Sequence, residues 1–215
     1  LIFPIVFVYL IIHSARIKDI NFFLNKIGII LNLKNKNNLC IHCASLGEIN
    51  GAQYLIKKIN NNNKVLISTN TISGKNRAKE LFPELDVVYF PLDYKLFVSF
   101  WLNIIRVQSV LIYETEIWPI FYSLCDKKNI KICVINARFS KKVLHGNKIL
   151  KVLYRNALNS CSFILCKSKY EKDKYAELQI NSNLLFHLGN LKYSFTHKSL
   201  GKNTNKNNNI FFLMA

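Results

Sequence analysis

Several short polar clusters, each following an apolar run, hold the residues of this chain whose chemistry could serve more than folding. The first is Ser45-Leu46-Gly47-Glu48. A carboxylate placed where a strand turns into a helix faces the positive end of the helix dipole, which favours the ionised form a general base must start from. Gly47 beside it permits a tight bend or close approach of a ligand to the backbone. The competing reading of Glu48 is an ordinary first-turn glutamate that stabilises its helix. Thr69, Thr71, Ser73 and Gly74 form a hydroxyl-rich turn that could offer oxygens and N–H groups to a phosphate or sugar, or serve as plain helix caps. Glu114 and Glu116 bracket Thr115 on what reads as extended chain, so both side chains are expected on one side. There they would accept hydrogen bonds from hydroxyls, or pair with Arg138 or Lys192 in a buried ion network. Arg138 is an anion binder by its fork geometry and Lys192 by its point charge. Trp118 reads as core.

Other chemistries find little support. The five histidines match no zinc spacing, and Cys40/Cys43 lacks a second ligand pair and sits on an expected strand, where residues three apart point to opposite faces. The six cysteines read as buried free thiols, and no metal is expected. There is no G-x-G-x-x-G, no P-loop and no nucleophile elbow.

The elements that must position these residues show as seven short apolar runs: Leu39 to Ala44, Val65 to Thr69, Val87 to Phe90, Ser109 to Tyr113, Lys131 to Ile135, Ser162 to Cys166 and Leu184 to Leu188. Between them the spacing turns helical. Ala52, Leu55, Ile56 and Ile59 predict one buried helix face, Phe97, Phe100, Trp101 and Ile104 another, and Pro119 suits the first turn of a third helix. Strands alternating with helices of about ten residues predict an α/β, Rossmann-like, doubly wound parallel sheet. In such sheets ligands bind beyond the carboxyl ends of the strands, where all the polar clusters fall.

The chain has 215 residues, 50% of them hydrophobic, and a formal net charge of +18 from 30 Lys+Arg against 12 Asp+Glu. That charge favours an anionic partner such as a phosphorylated lipid or membrane surface, although A+T-rich coding bias toward Lys, Asn and Ile would produce it equally. The basic residues form no stripe with interleaved aromatics, so nucleic acid is not an expected partner. Residues 1–20 open on an unbroken apolar run from Leu1 to Ile12 with a basic flank, expected to associate with a membrane as an anchor, with a buried or interfacial helix as the alternative. Residues 21–198 are expected to form the Rossmann-like domain, and 199–215 a polar linker and the start of another domain.

Taken in order, S-L-G-E, T-N-T-I-S-G, P-L-D, E-T-E-I-W-P, N-A-R-F-S and G-N-L-K resemble the motifs of Kdo (3-deoxy-D-manno-octulosonic acid) transferases over roughly residues 1 to 195. The resemblance implies the N-terminal half of a GT-B type glycosyltransferase, working at the cytoplasmic face of the inner membrane. It further implies transfer of Kdo from CMP-Kdo to a lipid A precursor (lipid IVA), with no cofactor beyond that donor substrate. Glu48 matches the family's catalytic base, Ser45 and Gly47 its loop, and Thr69, Thr71, Ser73 and Gly74 its hydroxyl-rich turn. Glu116, Arg138 and Lys192 match other polar positions of the cleft. Departures include Ser73 where threonine is usual and Ile120 where asparagine commonly follows W-P. The C-terminal half, which in the family holds most of the CMP-Kdo site, is expected beyond this sequence, so transfer by these 215 residues alone is not expected. A related transferase with another acceptor, or a non-catalytic remnant bound to anionic membrane, are the alternatives.

Overall fold

The computed structural model describes residues 2–34, 38–61, 64–139 and 146–187. Seven strands form one sheet in the order β3-β2-β1-β4-β5-β6-β7, and every neighbouring pair is parallel. They are β1 Leu39–His42, β2 Val65–Thr69, β3 Asp86–Tyr89, β4 Ser109–Tyr113, β5 Lys131–Ala137, β6 Phe163–Cys166 and β7 Leu185–His187. The central strands β1, β2, β4 and β6 are apolar almost throughout because helices cover both of their faces. On one face α3 (Leu46–Asn60) and α4 (Ile72–Leu81) pack Ile49, Ala52, Ile56 and Ala78 over Ile41, Ile67 and Leu111. On the other, α5 (Lys95–Ile105), α6 (Pro119–Lys127), α7 (Lys148–Asn159) and α8 (Lys169–Glu177) cover Leu66, Val110 and Ile164 with Trp101, Phe121, Leu158 and Tyr175. Cys40 and Cys43 fall on opposite faces, as strand alternation requires. All six cysteines are buried and unpaired.

An N-terminal helical hairpin, α1 (Ile2–Ile17) and α2 (Ile20–Lys26), packs against the β3 edge. Its clasp is Asp19, which accepts from the Tyr89 hydroxyl at 2.9 Å and from Lys75 Nζ at 3.2 Å, while Phe22 meets the Tyr89 ring edge-on at 4.9 Å. The chain leaves α2 through Gly28 at φ +87°, where a Cβ would lie 2.1 Å from the Phe97 carbonyl oxygen, so only glycine fits. The α1 helix is apolar, with Val8, Tyr9, Ile11 and Ile12 exposed. Among the described residues no helix is long and apolar enough to cross a membrane.

The expected α/β fold and its seven strands are present, with shifts at strand ends. β5 runs two residues further than its apolar run, and its pairing with β6 is irregular between Val134 and Ala137, where Asn136 takes φ +53°. The α3 face is buried as predicted. On α5 the buried stripe is Phe97, Val98, Trp101, Leu102 and Ile105, while Phe100 and Ile104 are exposed. The spacing found the helix but set its inner face one residue off, because almost every α5 side chain is apolar and periodicity is weak there.

Candidate active site

The sheet reverses its winding between β1 and β4, and this switch point is where an open α/β sheet leaves a crevice. The carboxyl ends of these two strands supply three carboxylates. Glu48 stands in the first turn of α3, after β1, and Glu114 and Glu116 follow β4. Burial pushes the Glu48 carboxyl up to about 7, and the neighbouring charges of Glu114 and Glu116 add to the rise against a hydrogen bond from Ala44. Burial and Glu114 raise Glu116 in the same direction. The expectation that the helix dipole holds Glu48 ionised is therefore corrected. Desolvation and like charge dominate, and they poise the group near neutrality.

Local sequence explains how Glu48 is held. Ser45 caps α3 by accepting the Glu48 N–H at 3.4 Å, its hydroxyl donates to Glu48 Oε1 at 3.3 Å, and Oε2 accepts the Ala44 N–H at 2.7 Å. This is a capping-box pattern reaching one residue further back than usual. Gly47 has no backbone need for glycine, since a Cβ there would meet nothing nearer than the Ser45 hydroxyl at 3.9 Å. The tight bend expected at Gly47 is absent, since the residue lies in the first turn of α3.

The hydroxyl-rich turn is largely spent on structure. Thr69 donates to the Ala44 carbonyl at 3.2 Å, and Thr71 caps α4 by accepting the Gly74 N–H at 3.1 Å. A Cβ on Gly74 would lie 2.4 Å from Thr69 Oγ1 and 2.9 Å from Thr71 Oγ1, so this glycine lets the α4 start pack against the Ser45 loop. Ser73 is exposed and bonds Thr71 at 3.4 Å. Asp93 of P-L-D caps α6 from another loop, accepting the N–H groups of Ile120 at 3.0 Å and Phe121 at 2.8 Å.

Thr115 ties the segment after β4 to α8 and to the end of β5. Its hydroxyl meets Tyr175 Oη at 2.6 Å and accepts the Arg138 N–H at 3.0 Å. The Arg138 side chain is exposed, and Lys192 lies outside the described residues, as do residues 199–215. Glu114 itself takes φ +63°, a conformation unusual for a residue with a Cβ, held by its N–H to the Ile135 carbonyl at 2.8 Å.

Two features escaped the sequence reading. Four buried polar atoms in and beside the rim have no hydrogen-bond partner among the described residues: His42 Nε2, Tyr113 Oη, Trp118 Nε1 and Asn136 Oδ1. Such atoms are rarely left alone in folded proteins. The second is Lys26, 8% exposed, whose ammonium reaches Asn70 Oδ1 at 3.2 Å. Nothing in sequence spacing ties Lys26 to Asn70, because they meet only through the docking of α2.

Comparison with known proteins follows the same lines. Residues 22–195 match the family described as 3-Deoxy-D-manno-octulosonic-acid transferase (kdotransferase). A bifunctional glycosyltransferase/methyltransferase of Fusobacterium nucleatum is 31% identical over 169 residues, 76% of this chain and 26% of that protein. The 3-deoxy-D-manno-octulosonic acid transferases of Haemophilus influenzae and Rickettsia conorii are each 27% identical, over 71% and 72% of this chain and 37% and 33% of theirs. The chain thus spans between about a quarter and two fifths of the length of these relatives. Among solved structures, UDP-GlcNAc 2-epimerase from Neisseria meningitidis bound to UDP-GlcNAc superposes with TM-score 0.53 at 12% identity, over 82% of this chain and 53% of that one. UDP-N-acetylglucosamine 2-epimerase from Rickettsia bellii gives TM-score 0.50 at 13% identity, over 79% and 50%. These two share the fold, the Rossmann-like half of a GT-B type architecture. With its described motifs on one sheet rim and its family match running through nearly the whole described domain, this chain belongs to the 3-deoxy-D-manno-octulosonic-acid transferase (kdotransferase) family.

Proposed function

We propose that this chain is the acceptor-side half of an inverting glycosyltransferase that moves Kdo from CMP-Kdo to a lipid A precursor, with Glu48 as general base. The observation that carries the reading is the placement of Glu48 at the β1/β4 switch point, half-buried beside Glu114 and Glu116 with its carboxyl raised to about 7. A carboxylate of that basicity is matched to taking a hydroxyl proton at neutral pH. In the proposed step Glu48 accepts the proton of an acceptor hydroxyl, whose oxygen forms a bond to the anomeric carbon of Kdo. The bond from that carbon to the CMP phosphate oxygen breaks, and CMP leaves with the electron pair. Glu116 and Glu114 supply acceptors for sugar hydroxyls, and Gly47 leaves room for the sugar against the backbone. Arg138 and Lys192 are proposed as anion-binding positions of the same cleft, and Ser45, Thr69, Thr71, Ser73 and Gly74 as the framework that shapes it. No cofactor enters the scheme.

The acceptor proposed here is an acylated, phosphorylated lipid, which places the reaction at the cytoplasmic surface of the inner membrane. The exposed apolar residues of α1 and the net charge of +18 suit such a surface. The cap geometry supports a second reading, in which Glu48 only fastens α3. Glu48→Gln separates the two, since glutamine keeps the acceptor for the Ala44 N–H and loses the base. Mass spectrometry of acceptor incubated with CMP-Kdo and the full-length protein should show product with wild type and at least about a hundredfold less with Glu48→Gln. Near-normal turnover by that variant would remove Glu48 from the role of base.

A further inference from the structure

We infer that Lys26, with Asn70 and the start of α4, forms an anion subsite of the cleft, and that the group it takes is a phosphate of the acceptor. The identity of the phosphate rests on the proposed function; the subsite itself rests on the geometry alone.

Lys26 closes α2, and its backbone carbonyl accepts the Leu92 N–H at 2.9 Å, which pins it to the loop after β3. Its side chain then crosses to Asn70, in the turn between β2 and α4, so the ammonium lies at the carboxyl edge of the sheet. Among the described residues two lysines are buried, at 8% and 6% exposure, and they are treated differently. Lys75 is paired with the Asp19 carboxylate at 3.2 Å. Lys26 has the neutral amide oxygen of Asn70 and the Phe22 ring at 5.7 Å, and it belongs to none of the ion pairs among the described residues. A buried cation facing only neutral groups is costly, and an arriving anion relieves the cost. Burial accordingly brings the Lys26 amine down to about 8.

The surroundings suit an anion. Asn70 directly precedes the Thr71 cap of the ten-residue α4, whose first N–H groups present the positive end of its dipole. His42 is wholly buried, feels the Lys26 charge, stays neutral, and keeps Nε2 without a partner while Nδ1 meets Ser68 Oγ at 2.9 Å. No carboxylate pairs with Lys26 among the described residues, and the cause of its shift is burial. Lys26 and Glu48 are nonetheless joined through one residue, Ala44. The Asn70 N–H donates to the Ala44 carbonyl at 3.1 Å, and the Ala44 N–H donates to Glu48 Oε2 at 2.7 Å. The rim therefore has an end that takes an anion and an end that takes a proton, set by adjacent turns. A ligand carrying a phosphate a short distance from a reactive hydroxyl fits both.

The test uses Lys26→Met, Lys26→Arg and Asn70→Ala in the full-length protein, with KM measured for the phosphorylated acceptor, for the same acceptor stripped of its phosphates, and for CMP-Kdo. Lys26→Met should raise KM for the phosphorylated acceptor about tenfold more than for the stripped one, a difference of about 1.4 kcal/mol. Arginine should restore most of the loss, and Asn70→Ala should lose part of it. An equal change on both acceptors would reduce Lys26 to a strut for α2, and a rise confined to CMP-Kdo would assign the subsite to the donor; either overturns the inference. A second arm titrates inorganic phosphate into the 215-residue chain by calorimetry, with chloride as control. Binding by wild type and not by Lys26→Met would uphold the subsite even if no Kdo transfer were found, and no difference between them would sink it. Should Lys26→Met fail to fold, Lys26→Arg against Asn70→Ala carries both arms, with loss of phosphate selectivity expected in the latter only.

Discussion

The Glu48 carboxylate and the Ala44 backbone N–H are joined at 2.7 Å across the turn from β1 to α3, so the proposed base is aimed by the same bond that starts its helix. A group fixed in this way needs no reorganisation before it accepts a proton. It also titrates where its surroundings put it. With Glu48 raised to about 7 by burial, then by Glu114 and Glu116, kcat/KM of the full-length protein should climb through about pH 7. A profile flat from pH 5 to 8 would contradict that assignment.

The same shift has a consequence for stability. A carboxyl whose folded value lies above its unfolded one holds its proton more tightly in the folded chain. Its contribution is full below the unfolded value, near 4.5, and is lost as pH rises through about 7. Glu48→Gln, permanently neutral, should therefore gain stability over wild type at pH 8 and lose that advantage at pH 5. Urea midpoints at the two pH values check the sign, and a constant difference would refute it.

Gly74 and Gly47 are expected to part company. Alanine at Gly74 drives a methyl to 2.4 Å from Thr69 Oγ1 in a buried corner, and a loss of about 1–3 kcal/mol follows from overpacking. Alanine at Gly47 meets only Ser45 Oγ at 3.9 Å and should leave thermal stability equal or higher while lowering transfer. Thermal melts and acceptor KM for the pair test whether Gly47 is open for a ligand.

Thr115 bonds both the Tyr175 hydroxyl and the Arg138 backbone, so Thr115→Val strands two groups and should cost about 1–3 kcal/mol in chemical denaturation. Thr115→Ser keeps the hydroxyl and should recover most of it. Equal losses for both variants would point to packing instead.

Tyr113→Phe removes a buried hydroxyl that has no partner among the described residues, and its stability should be unchanged or up by about 1 kcal/mol. If that hydroxyl meets the acceptor, KM for the acceptor rises in the same variant. A marked loss of stability would show that the hydroxyl is satisfied within the protein.

The strands were legible because a parallel sheet covered on both faces writes itself as short apolar runs, as in Val65 to Thr69 and Ser109 to Tyr113. Glu48, Glu114 and Glu116 were legible as a group because topology alone carries strand ends to one rim. What stayed hidden depends on contacts between distant segments. Lys26 meets Asn70 forty-four residues away, and Asp93 caps a helix that begins twenty-six residues later. The left-handed turn at Glu114 was hidden for another reason, since glutamate does not signal it as glycine or asparagine would. The even apolarity of α5 concealed which of its faces points inward.

The six buried cysteines give the molecule a built-in meter of its own opening. They sit on or just after β1, on α6, β5 and β6, and beside α7, and burial pushes their thiols up, away from the thiolate form that reacts with labelling reagents. Any modification must wait for the surrounding structure to part. Mass spectrometry of labelled peptides would then rank the exposure times of β1, at the switch point, and β6, near the sheet edge, timing the breathing of the sheet strand by strand.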